Sequence, residues 1–144
     1  KVEIIPDLID TAVEELEHFQ MVYALMEKRN VQLPTRMPKD LYIDDLMKKC
    51  RSAVEERLMD RMLLASIIEC RGAERFKLVA DAATDPEIKS FYKKLWTSEA
   101  KHGNIFVKFA LEYWPEQEVY SRLEVLNSAE GKICSELTWR PALH

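Results

Sequence analysis

Residues 96–105, WTSEAKHGNI, place Glu99 three positions before His102 in a segment that reads as helix. Positions i and i+3 share one helix face, so this carboxylate and this imidazole can converge on one ion. The same arrangement recurs at Glu15 and His18, so two of the three histidines carry a glutamate at minus three. Both pairs sit in apolar stripes: Ala12, Phe19 and Val22 flank Glu15, while Tyr92, Leu95, Gly103 and Phe106 flank Glu99. An ionised carboxylate buried in such a stripe is costly unless it is paired or bound to metal.

The rest of the chain supplies a helical frame. With 144 residues, three glycines and six prolines, it has the length of one domain and the composition of an all-α protein. Apolar residues from Leu8 to Met26 recur at helical spacing behind Pro6, which predicts a helix to about Lys28. Residues 30–40 hold two prolines and no period, and 40–50 read as a short helix. A long helix follows from about Ala53 to Ala83, stopped by Thr84-Asp85-Pro86, which caps and opens the next. That helix runs to about Tyr113, before Trp114-Pro115, and a last one covers roughly 116–138. Helices of 25–30 residues reach roughly 40 Å, the scale of a substantial bundle.

On the long central helix, Glu69 lies among Met62, Ala65, Ser66, Gly72, Ala73 and Phe76, whose small members leave room beside a carboxylate. Glu74 competes with it but shares a polar face with Arg71, Lys77 and Asp81, which favours a surface or supporting role. Glu69, followed by Glu99-x-x-His102, is half of a di-iron carboxylate site, in which two helices give a lone Glu and two give Glu-x-x-His. Glu15 and His18 form the other half without its lone Glu. The repeat places that residue about 30 positions before Glu15, upstream of Lys1, so the expectation is a chain lacking its first bundle helix. Glu124, Glu130 and Glu136 of the last helix, or another chain, are the alternative sources of a sixth ligand.

Other readings fit less well. Structural zinc sites favour cysteine and the helical protease motif is His-Glu-x-x-His, which the sequence lacks. Cys50, Cys70 and Cys134 are widely spaced, which argues against a disulfide framework and for a reducing cytoplasm; Cys50 and Cys70 read as small hydrophobes rather than ligands. Tyr92, Trp96, Tyr113, Trp114 and Trp139 read as packing rather than redox relays. No apolar run is long enough to cross a membrane. The net charge of −4 is no overall nucleic-acid signature, leaving two local groups, Lys48, Lys49 and Arg51, and Lys93, Lys94 and Lys101, as possible phosphate contacts. A bundle with ordinary salt bridges, without catalysis, remains the non-enzymatic alternative.

The segments EELEHFQMV (14–22), LLASIIECRGAERFKLVADA (63–82), FYKKLWTSEAKHGNIFVKFA (91–110) and RPALH (140–144) resemble the MiaE family of tRNA hydroxylases. The resemblance covers most of the chain and implies a ferritin-like four-helix bundle with extra short helices, holding two non-haem irons. It implies an O2-dependent monooxygenase that hydroxylates the isopentenyl group of a modified adenosine beside the tRNA anticodon. An external donor, ferredoxin- or flavin-reductase-like, would supply electrons. The family's ligands fall on Glu15, His18, Glu69, Glu99 and His102, and its earlier helix with a lone Glu has no counterpart here. Another ferritin-like activity, a ferroxidase or rubrerythrin-like peroxidase, shares the ligands but not the ECRGAERF segment (69–76).

Overall fold

A computed structural model describes residues 3–138; the closing RPALH segment and Trp139 lie outside them. The described residues form five helices and no strand: α1 Ile5–Lys28, α2 Leu41–Met47, α3 Val54–Ala82, α4 Pro86–Leu111 and α5 Glu116–Glu136. These are the helices that periodicity and punctuation predict, each end within a few residues. The chain divides into two compact units, one ending at Lys39 and one beginning at Asp40.

The first unit is α1 and the segment after it. Pro6 sits in the first turn, where a missing N–H costs nothing. At the other end Asn30 adopts a left-handed conformation, φ 56°. This lets Asn30 N–H donate to Glu27 O at 3.1 Å and Val31 N–H donate to Met26 O at 2.9 Å, a paired closure of the last turn. The periodic apolar residues of α1 are not all covered: Ile9, Val13, Leu16 and Phe19 are exposed.

The second unit is built on the α3–α4 hairpin. Asp85 accepts from the N–H groups of Glu87 and Ile88 at 2.8 and 3.3 Å, so the acid immediately before Pro86 is the cap. Contacts between Phe76 and Tyr92 and between Ser66 and Gly103 pair earlier residues of α3 with later ones of α4, as an antiparallel pair joined by a short turn requires. Met59, Leu63, Leu64, Leu95 and Phe109 are buried and form much of its core.

Helix α5 is tied to α3 by ion pairs in parallel register. Asp60, fully buried, accepts from Arg122 Nε and Nη2, both at 2.8 Å, and from Arg51 Nη2 at 2.9 Å and Arg51 N–H at 2.8 Å. Burial works to raise the Asp60 carboxyl, but these donors outweigh it and hold it down to about 2. Two to three turns further on, Glu130 accepts from Arg71 Nε and Nη2, each at 2.7 Å, and from the Tyr42 hydroxyl at 3.1 Å. Asp40 starts α2 by accepting from Tyr42 N–H at 2.9 Å, which places the Tyr42 ring for that contact.

Candidate metal centre

Helix α4 presents Glu99 and His102 on its inner face because three residues nearly complete one turn. Their side chains meet at 3.3 Å, Oε2 to Nδ1. Both are buried, 6 % and 1 % exposed, which separates them from an ordinary solvated pair. Half-buried Glu69 of α3 joins them: one ligand atom from each of Glu69, Glu99 and His102 lies within 4.8 Å of the others.

The helices are held close at this level by residues adjoining the three. Ser66, one turn before Glu69, donates its hydroxyl to the Gly103 carbonyl at 2.6 Å. Gly103 follows His102, and a Cβ there would stand 2.6 Å from Cys70 Sγ. A glycine at 103 therefore sets how near α4 approaches α3. The sequence reading places Ser66 and Gly103 among the neighbours of the ligands; their contact with each other is tertiary and leaves no periodic signal.

The donor set fits a hard metal of the iron type. Two carboxylates and an imidazole are suited to iron, and among the described residues no cysteine belongs to the cluster. Two carboxylates brought together where water is scarce repel each other, and a cation between them reverses the sign of that energy. The apolar Leu95, one turn from Glu99 and 3 % exposed, helps exclude water.

In the first unit, Glu15 Oε2 and His18 Nδ1 lie 3.6 Å apart, the same i,i+3 pairing. His18 is half-buried, but Glu15 is exposed, as are Ala12, Phe19 and Val22 beside it. The expectation of a carboxylate buried in an apolar stripe holds for Glu99 and not for Glu15, because helical periodicity names a face without naming what covers it.

The competing acids are otherwise engaged. Glu74 is exposed and pairs with Arg71 Nη1 at 2.7 Å. Glu130, an alternative sixth ligand by sequence, is held by Arg71. Burial works to raise its carboxyl, but hydrogen bonds from Arg71, Cys134 and Tyr42 keep it below the usual carboxylate range. Glu124 and Glu136 are exposed and line an outer groove with Lys49 and Lys132. Cys70, read as a small hydrophobe rather than a ligand, is exposed and lies outside the cluster. The Arg71–Glu130 and Asp60–Arg122 pairs escape sequence reading because their members are about sixty residues apart.

A tRNA 2-(methylsulfanyl)-N(6)-isopentenyladenosine(37) hydroxylase of Pseudomonas putida is 31% identical over 122 residues, covering 85% of this chain and 58% of that protein. The enzyme of the same name from Salmonella typhimurium is 28% identical over 130 residues, covering 88% of this chain and 47% of its own. The chain thus spans about half the length of these curated relatives. A solved structure, Protein 43 with aldehyde deformylating oxygenase activity from Synechococcus, is 36% identical with a TM-score of 0.87, covering 93% of this chain and 66% of that one. The fold is of the ferritin-like helical kind. The family profile described as tRNA-(MS[2]IO[6]A)-hydroxylase (MiaE) matches residues 1–144, and the chain belongs to that family.

Proposed function

We propose that this chain is the metal-bearing part of a cytoplasmic di-iron, O2-dependent monooxygenase that hydroxylates the isopentenyl group of a modified adenosine beside the tRNA anticodon. The observation that carries the reading is the convergence of Glu69, Glu99 and His102 within 4.8 Å, in a chain whose relatives are named for hydroxylation of that nucleoside.

In this proposal Glu69, Glu99 and His102 hold one iron, and Glu15 and His18 contribute to a second. Two irons held there would supply the dioxygen chemistry of a hydroxylation, in which one oxygen enters an unactivated C–H bond and the other leaves as water at the expense of two electrons from an external ferredoxin- or flavin-reductase-like donor. The protein's own part is to hold charge and position. The carboxylates of Glu69 and Glu99 would balance the charge of a bound cation, and the His102 imidazole would add one neutral ligand. The i,i+3 spacing fixes His102 against Glu99 on a rigid helix rather than a loop. Leu95 keeps bulk water from the inner face of α4.

The test is nucleoside mass spectrometry of tRNA incubated with the full-length, iron-loaded protein, reductant and oxygen. The expected product is the isopentenyl-adenosine heavier by one oxygen, absent with Glu99→Gln. The Synechococcus relative's named activity makes an aldehyde the competing substrate. Turnover of an aldehyde with no change in tRNA would overturn the assignment.

A further inference from the structure

The net charge of −4 is unevenly distributed. Helix α4 carries Lys89, Lys93, Lys94, Lys101 and Lys108, against Glu87 in its first turn and the buried Glu99. In the turns between Glu87 and Glu112 its outer face therefore carries lysines and no exposed acid. Lys93, Lys94 and Lys101 are exposed and line, with Ser90, Thr97 and Ser98, a shallow depression of about 420 Å³. At about 100° per residue, these three lysines share an arc of about 100°. His102 and Glu99 point to the opposite side of the helix.

In the other cationic group flagged by sequence, Lys49 is likewise exposed, but its two companions are compensated. Lys48 is paired with Asp44 and Asp45 at 3.0 and 2.7 Å, and Arg51 with Asp60 and Glu56 at 2.9 and 3.0 Å. Lys93, Lys94 and Lys101 form no ion pair with any described residue. Uncompensated like charges on an acidic protein make a local field that attracts a polyanion. Lysines are flexible point charges, suited to backbone phosphates and not to reading base edges. Lys93 and Lys101 are about 12 Å apart along the axis, so they meet phosphates of different nucleotides.

We propose that the outer face of α4, centred on Lys93, Lys94 and Lys101, is the surface that holds the phosphate backbone of the tRNA substrate. This rests on the tRNA reading above. The surface faces away from the metal ligands across a helix about 10 Å thick, so it grips backbone remote from the reacting nucleotide. Its lysines are positioning residues: they govern binding, not the chemical step.

The experiment uses the full-length, iron-loaded protein carrying Lys93→Gln, Lys94→Gln and Lys101→Gln together. Binding of fluorescently labelled tRNA is followed against salt, beside steady-state hydroxylation. The triple variant is expected to raise KM roughly tenfold at 0.1 M salt and to lower the log–log salt slope by about one per lysine removed. The expected kcat, iron content and helicity match the wild type. Replacement of the same three by Arg retains binding, and Lys132→Gln on α5 changes nothing. An enzyme that hydroxylates tRNA but shows wild-type KM and salt slope in the triple variant overturns the surface and leaves the function standing. A wild-type protein that modifies no tRNA nucleoside, yet loses salt-dependent tRNA binding in the triple variant, overturns the function and leaves the surface standing. Absence of both modification and tRNA binding in the wild type overturns both.

Discussion

At residue 103 a missing side chain sets the geometry of its neighbours. Because a Cβ there would stand 2.6 Å from Cys70 Sγ, Gly103→Ala forces the thiol from its place or pushes α4 away from α3. In the helix interior the same substitution gains about 1 kcal/mol of propensity. The two effects separate in a double-mutant cycle with Cys70→Ala. Denaturant midpoints are expected to show Gly103→Ala as stabilising when residue 70 is Ala and destabilising when it is Cys, a coupling of about 1 kcal/mol or more. Equal effects in both backgrounds would mean that the contact does not limit the approach. Sequence makes Glu99, His102 and Gly103 legible as one helix face, since period and spacing are local. That residue 103 meets Cys70 is not legible, because α3 can present any of several neighbouring positions to α4.

Among the elements, Asp60 fastens α3 to both α5 and the segment before α3. With its side chain fully buried and two arginines directed at it, Asp60→Asn removes the charge that both guanidinium groups answer. The expected loss is about 3–5 kcal/mol, as for breaking a buried pair from one side. Its carboxyl is lowered from 3.8 to about 2 in the fold, so its contribution is complete above pH 4 and is lost as pH falls through about 2. That shift corresponds to about 2 kcal/mol. Urea unfolding of the wild type between pH 5 and pH 2 should lose at least this amount, with Glu130 adding to the loss, and Asp60→Asn should lose about 2 kcal/mol less over the same range. Identical pH profiles would mean that Asp60 does not contribute to the acid sensitivity of the fold. The helices themselves are readable: Asp85-Pro86 and Trp114-Pro115 punctuate the chain through local backbone chemistry. The pins between them are not, since no periodicity connects Asp60 to Arg122.

Over the whole molecule, the sequence predicts the all-α class and the family resemblance, and it groups Glu69 with Glu99 and His102. It also overstates how much of α1 is covered. Leu16 and Phe19 are 69% and 60% exposed, so replacing either with Gln should change the stability of the chain by under about 0.5 kcal/mol. Light scattering is expected to show less self-association, because an apolar stripe has been interrupted; a loss of several kcal/mol would show that the stripe is packed in solution. Whether Glu69, Glu99 and His102 act together on one metal is read from iron stoichiometry. Full-length protein reconstituted anaerobically with ferrous iron should hold about two irons per chain, and His102→Gln about one. Retention of both irons at unchanged affinity in His102→Gln would mean that His102 holds neither.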